Sequence, residues 1–354
     1  MLFLDYNLVV LTFAVAFVVS MMIAPGVIRL LKRLKIGQTI QVDGPESHKS
    51  KAGTPTMGGI IIILGILIGV PTALYSAGKT SLHEFFYPEC FRYLMALLIL
   101  VLSYAFVGLV DDYLTIKPVR GIRGISSKPK AALQLLIAAG FVLWLRQAGF
   151  DPVLNVAGKH FFLGEAYWVL ATFFIAGMSN FVNITDGLDG LVSGLVLILV
   201  PVLVWCGLPP SGDLIIGFTT WPFVLTPLLV ATSGACLAFL WYNANPAKVF
   251  MGDTGSLALG ALLSASAIVT HREVLLIVIG MVFILDGLST ALQWAVFKYT
   301  RIRTGTGRRV FLKSPVHHHF EMLGWPEQKV VVRFWICGVI AAVLGFAGAA
   351  MGWW

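Results

Sequence analysis

Five aspartates stand where apolar stretches of this chain meet water. Asp111 and Asp112 close one apolar run in Val107-Gly-Leu-Val-Asp-Asp-Tyr-Leu-Thr115, Asp186 and Asp189 lie in Asn180-Phe-Val-Asn-Ile-Thr-Asp-Gly-Leu-Asp-Gly190, and Asp253 precedes another run in Tyr242-Asn-Ala-Asn-Pro-Ala-Lys-Val-Phe-Met-Gly-Asp-Thr-Gly-Ser256. Charge is costly beside a bilayer, so such residues are functional candidates. Adjacent carboxylates repel each other, which raises the proton affinity of at least one and favours a bound cation or general-base work. The competing reading of Asp111 and Asp112 is a solvated helix end, or one paired with Lys128 or Lys130. In the second segment, Gly187 and Gly190 permit tight turns that let Asn183, Asp186 and Asp189 converge on one ligand, where an Asx-rich cap is the plainer alternative. In the third, Gly252, Thr254, Gly255 and Ser256 fall at a helix start, so backbone N–H groups are expected to face phosphate while Asp253 holds a divalent cation. Simple N-capping by Asp253 competes, and no Gly-Lys-Ser/Thr follows at Walker A spacing. Together the carboxylates suit magnesium-dependent phosphoryl transfer.

Two further segments and one isolated acid add to the set. His48-Lys-Ser-Lys-Ala-Gly-Thr-Pro-Thr-Met-Gly-Gly59 joins Lys49, Lys51 and Thr56 to turn-forming residues, a phosphate contact or, for Lys49, a topology signal. Pro315-Val-His-His-His-Phe-Glu321 invites a zinc reading, but helical neighbours point about 100° apart and no Cys-x-x-Cys accompanies them. Contact between His317, His318 or His319 and a phosphorylated substrate fits better. Asp286 falls near the middle of an apolar run and is expected to face the bundle interior, as a protonated hydrogen-bonded group or a catalytic one. Gln293, two turns on, is a ligand candidate.

The elements that must position these residues are membrane helices. The 354 residues are 58% hydrophobic and 12% charged, with a mean hydropathy of +0.88, far from a soluble domain of this length. A helix needs about 20 residues to cross the hydrocarbon core, and no alternating strand pattern points to a barrel. About ten transmembrane helices are expected, over 8–31, 57–75, 93–110, 131–148, 167–182, 190–206, 222–241, 255–270, 274–297 and 334–352. The fold class is an all-α integral membrane protein, with 1–354 one polytopic domain. The first span is read as retained, since it lacks a basic leader and a small-residue cleavage site. The net charge of +8 is read as topology, not as a nucleic-acid surface. Of the 25 Lys and Arg, 20 fall after odd-numbered spans, so those ends are cytoplasmic and both termini lie on the outer side. All five aspartates then share the cytoplasmic face. Cys90, Cys206, Cys236 and Cys337 show no metal or redox spacing and read as packing residues. Small residues from Gly338 to Gly352 permit close helix packing, including a homodimer contact.

Taken together, Asp43-Gly-Pro-Glu-Ser-His48 with Gly53-Thr-Pro-Thr-Met-Gly-Gly59, Asp111-Asp112-Tyr113, Asn183-Ile-Thr-Asp-Gly-Leu-Asp-Gly190, Phe250-Met-Gly-Asp-Thr-Gly-Ser256 and Pro315-Val-His-His-His-Phe-Glu321 resemble the phospho-N-acetylmuramoyl-pentapeptide transferases (MraY). These belong to the polyprenyl-phosphate N-acetylhexosamine-1-phosphate transferase superfamily, and the likeness covers nearly the whole chain. The resemblance implies that UDP-MurNAc-pentapeptide and undecaprenyl phosphate give undecaprenyl-diphospho-MurNAc-pentapeptide (lipid I) and UMP, with Mg²⁺, in the bacterial cytoplasmic (inner) membrane. It implies that Asp253 holds Mg²⁺, and that Asp111 orients or deprotonates the attacking lipid phosphate with help from Asp112. Lys51, Thr56, Lys130, Asn183, Asp186, Gly187, Leu188, Asp189, Asn243, Phe250, Gly252, Ser256, Gln293, His317, His318 and His319 are then expected to bind substrate. One-step displacement competes with a phosphoryl-enzyme route through a carboxylate such as Asp253, and a metal-bound carboxylate is a weakened nucleophile. The basic stretch Lys298–Arg309 is longer than the resemblance leads one to expect.

The nearest rival is a transferase of another sugar phosphate onto the same lipid, which a donor swap separates. A coupled transporter, motivated by Asp286, fits less well because the acids gather at one face and not at the midplane. A catalytically dead scaffold is opposed by the presence of every carboxylate.

Overall fold

A computed structural model of the chain describes residues 6–37, 51, 53–77, 88–118, 124–206 and 220–353. The segment 43–48, Lys49, Arg120 and Arg123 lie outside the described residues.

Helices dominate. In chain order they are α1 (Tyr6–Arg33), α2 (Gly59–Ala77), α3 (Pro88–Ile116), α4 (Ser127–Gln147), α5 (Glu165–Thr185), α6 (Leu191–Cys206), α7 (Thr220–Asn243), α8 (Gly252–Val269), α9 (Glu273–Ile279), α10 (Met281–Thr304), α11 (Val316–Met322) and α12 (Glu327–Ala350). Eight are long and apolar enough to cross a bilayer, while the apolar parts of α2 (Gly59–Thr72) and α6 are shorter. Prolines inside α1, α2, α6 and α7 are tolerated because neighbouring helices satisfy the freed backbone groups.

A helix apolar all round belongs in a core, and α8 is such a helix: every residue from Thr254 to Val269 is buried. It packs against α3 and α5, while α1, α2 and α7 form a second group beside it. The crossing with α5 is close because Gly260 presents no side chain; a Cβ there would lie 2.5 Å from Ser179 Cα. Ser179 fixes the same level by donating to the Leu257 carbonyl at 2.8 Å.

Four features add to or depart from the sequence reading. The run 274–297 is two helices, α9 and α10, parted at Gly280. The basic stretch after 297 continues α10 to Thr304, where Arg301 and Arg303 favour the helix C-terminus and Gly305 closes it at φ 73°. A hairpin of β1 (Val153–Val156) and β2 (Lys159–Phe162) joins α4 to α5, with Ala157 and Gly158 both at positive φ, as two-residue hairpin turns require. The small residues of α12 face inward: Gly338, Ala341, Ala342, Gly345 and Gly348 are buried. Gly338 abuts Leu195 of α6 and Gly345 abuts Leu275 of α9, so the buried part of this stripe packs within the chain. Cys206 and Cys236 are buried as packing residues, while Cys337 is exposed.

Candidate active site

At one end of the bundle, the C-terminal ends of α3 and α5 meet the N-terminal ends of α4 and α8. Gly252 starts α8 at φ 71°, and a Cβ there would lie 2.5 Å from Asp112 Oδ2 and 2.7 Å from Thr56 Oγ1. The α8 start has no side-chain cap of its own. Asp112 supplies one across helices: Oδ1 accepts the Asp253 N–H at 3.1 Å, and Oδ2 accepts the Thr254 N–H at 3.1 Å and its hydroxyl at 2.7 Å. This corrects the expectation that those N–H groups are open to phosphate, and it makes Asp112 the part that aims its neighbour Asp253.

Asp253 itself faces the other way. Its Oδ1 accepts from Asn183 at 2.7 Å, Asn183 also donates to Ser256 Oγ at 2.9 Å, and Oδ2 is paired with the Lys130 ammonium. Lys130 reaches Asp111 Oδ2 as well, at 3.1 Å, and the Asp111 and Asp253 carboxyls lie within hydrogen-bond reach of each other. Asp186, just past α5, joins the cluster: burial first, then the charges of Asp253 and Asp112, hold its carboxyl well above the usual range, against the pull of the Gly252 N–H. Among the described residues no group of three or more His, Cys, Asp or Glu side chains forms a metal cage by itself. Mg²⁺ characteristically binds through one or two carboxylates plus waters and substrate phosphates. The oxygen-only donor pair Asp111 and Asp253, with a lysine ammonium already between them, fits such an ion.

A second network lies beside the first. Lys51 Nζ sits 2.7 Å from Asp189 Oδ1 and 2.6 Å from Glu327 Oε1, and 5.8 Å over the Phe250 ring. Asn245 donates to Asp189 at 3.0 Å and Glu327 at 3.2 Å, while the Asp189 N–H donates to Glu327 at 2.8 Å. Burial opposes the Lys51 charge, yet Glu327 and Asp189 outweigh it and raise the lysine above its ordinary value. Neither Glu327 nor Asn245 is marked out by the sequence, where nothing pairs either with Lys51 or Asp189.

The remaining sequence candidates divide. Gly190 is at φ 80° as a turn residue, but Gly187 earns its place by space: a side chain there would strike His317 Nε2. Leu188 is buried in the core. Asn243 is a brace, accepting the Gly190 N–H at 3.0 Å and donating to the Val249 carbonyl at 2.9 Å. Gln293, expected as a ligand, is taken up by the loop before α11, donating to the Phe311 carbonyl at 3.1 Å and accepting the Val310 and Phe311 N–H groups. The three histidines diverge. His317 turns inward to Asp286, His318 Nδ1 lies 2.6 Å from Glu321 Oε2, and His319 Nδ1 accepts the Leu312 N–H at 3.2 Å. Burial, more than Glu321 can offset, lowers His318 to about 4.

The Glycosyl transferase family 4 model matches residues 94–271, the span that contributes Asp111, Asp112, Lys130, Asn183, Asp186, Asp189 and Asp253. Fold and site therefore define a polytopic membrane transferase of that class. A phospho-N-acetylmuramoyl-pentapeptide-transferase signature matches residues 51–63. Relatives bearing that transferase's name include one from Oceanobacillus iheyensis, 42% identical over 97% of this chain and 98% of its own. Others come from Geobacillus thermodenitrificans, 41% identical over 96% and 97%, and Bacillus subtilis, 40% identical over 96% and 97%. The chain belongs to the phospho-N-acetylmuramoyl-pentapeptide-transferase family.

Proposed function

We propose that the chain transfers phospho-MurNAc-pentapeptide from UDP-MurNAc-pentapeptide to undecaprenyl phosphate, forming lipid I and UMP in peptidoglycan synthesis. Family membership supports the reaction, and the observation that carries its placement here is the joining of Asp111, Lys130, Asn183 and Asp253 at one end of the bundle. Ten spans with outward termini, in the bacterial inner membrane, are the topology that fits the basic residues. They put this end in the cytoplasm, where the soluble donor meets the lipid leaflet.

Asp253 would hold Mg²⁺, with Asp111 alongside. When bound, the ion offsets charge on the diphosphate and on the departing UMP. Asn183 and Lys130 hold the Asp253 carboxylate in orientation, and Lys130 adds a fixed positive charge to the phosphate site. With both oxygens engaged, Asp253 is a poor nucleophile, which supports direct displacement by the lipid phosphate oriented at Asp111. The Lys51, Asp189 and Glu327 network shapes the nucleotide end beneath Phe250. An apolar cavity of about 740 Å³, lined by residues including Leu285, Leu288, Leu292, Phe311, Phe320 and Phe334, runs beside α11 and suits the isoprenoid chain of the acceptor.

The test is UMP release by the purified protein with undecaprenyl phosphate and Mg²⁺, comparing UDP-MurNAc-pentapeptide with UDP-GlcNAc and repeating with Asp253→Asn. Release with the muramoyl donor alone, lost in the variant and on chelation of Mg²⁺, is expected. Release with UDP-GlcNAc alone assigns the chain to another sugar phosphate. Radiolabelled sugar-phosphoryl protein accumulating without the lipid acceptor would refute direct displacement.

A further inference from the structure

One buried pair stands apart from the Asp253 and Lys51 networks. Asp286 of α10 and His317 of α11 both have 0% exposure. The His317 main-chain N–H donates to Asp286 Oδ1 at 3.3 Å, and ring Nδ1 lies 2.7 Å from Oδ2. A backbone N–H can only donate, so Oδ1 accepts, and Oδ2 faces ring Nδ1, where a carboxylate takes the ring N–H. Ser289 makes a second tie, accepting the Val316 N–H at 2.9 Å while donating to the Asp286 carbonyl at 2.6 Å. The first turn of α11 is thereby fixed on α10.

The other ring nitrogen is the unusual atom. Nε2 of His317 is buried with no hydrogen-bond partner among the described residues. It faces Gly187, in the turn that carries Asp186 and Asp189; a Cβ there would collide with Nε2 and lie 3.1 Å from Cε1. A buried polar atom without a partner is costly and calls for an explanation. Which nitrogen of a histidine is bare is set by the bond the other one makes. With a carboxylate behind Nδ1–H, Nε2 is left as the acceptor, and it faces Gly187.

We propose that Asp286 is a positioning residue for the transfer reaction: it holds His317 in the Nδ1–H form with Nε2 presented at the Asp186–Gly190 turn, where it accepts an O–H or N–H of the sugar donor. This rests on the transferase reading above. The donor displaces the Gly187 backbone from Nε2, and Asp286 acts only through the ring.

The test uses the full chain and three variants: Asp286→Asn, His317→Ala and the double substitution. Asp286→Asn is expected to lower kcat/KM for the muramoyl donor by about 10- to 100-fold, as loss of a ligand's orienting partner commonly does. The double variant should be no worse than His317→Ala alone within about 3-fold, because a residue acting through another has nothing left to position. Losses that multiply overturn the proposal. Nitrogen-15 histidine spectra, with the His317 signal identified by its absence in His317→Ala, read the ring directly. Protonated Nδ1 with bare Nε2 in the unsubstituted protein supports the proposal, and protonated Nε2 overturns it even where Asp286→Asn does not fold. Unsubstituted protein that releases no UMP would sink the transferase reading, a failure the spectrum distinguishes.

Discussion

Gly260→Ala tests whether the distance between α5 and α8 sets catalysis. The added methyl would sit 2.5 Å from Ser179 Cα, about 0.9 Å inside the 3.4 Å of ordinary contact, and 2.8 Å from the Met178 carbonyl oxygen. Backbone cannot rotate away, so α5 must retreat by most of that distance. Asn183 lies one turn along α5 from Ser179, and its 2.7 Å bond to Asp253 would stretch to about 3.6 Å, beyond hydrogen-bonding range. A misplacement of this size at a reacting group costs about 100-fold in rate, and overpacking costs about 1–3 kcal/mol of stability. The comparison is Gly177→Ala, on α5 itself, where a Cβ would meet nothing within 4 Å. UMP release under saturating donor and thermal unfolding in detergent should show Gly260→Ala slowed about 10- to 100-fold, with Gly177→Ala unchanged. Full activity in Gly260→Ala, or equal losses in both, would refute the argument that this crossing holds Asn183 on Asp253.

Asp112→Asn should weaken the start of α8, because an amide turns one of its acceptors toward the N–H groups as a donor; a loss of about 1–3 kcal/mol and of most UMP release is expected. Lys51→Met leaves Asp189 and Glu327 facing each other without a cation and should cost about 3–5 kcal/mol, part of which Glu327→Gln in the same chain should restore in thermal unfolding. His318, lowered from its ordinary 6.5 to about 4, takes up a proton in the unfolded chain before the folded one. Its stabilising contribution is therefore present above pH 6.5 and lost as pH falls toward 4, so His318→Gln should flatten the fall of Tm over that window.

The apolar runs made the bundle legible because most cover a bilayer's thickness, and the acids stood out because membrane ends tolerate few of them. The aspartates gather at one end as the sequence suggested, but Asn183 and Asp189, expected to converge on one ligand, part to Asp253 and to Lys51. What stayed hidden were pairings across elements. Nothing in the spacing of Asp112 and Thr254 says that one caps the other's helix, since both also fit a ligand role. Glu327 carries no signal that pairs it with Lys51, and Gln293 reads as a ligand until the loop ahead of α11 places Phe311 against it. Asp286 carried a correct burial signal, yet its partner is a histidine that the sequence pointed toward a substrate. The break at Gly280 escaped because hydropathy runs smoothly across it.

The Lys51, Asp189 and Glu327 network has a consequence for biogenesis. Glu327 opens α12 and Lys51 precedes α2, so 276 positions of synthesis separate the two partners of one ion pair. A nascent chain with its first eight helices inserted already owns the aspartate cluster, but its lysine lacks half its counter-charge and its histidine helix has yet to emerge. The Lys51 network is complete only when α12 arrives. Until then Lys51 has Asp189 alone as its counter-charge, so the loop ahead of α2 and the turn after α5 take their final positions only after Glu327 has been made.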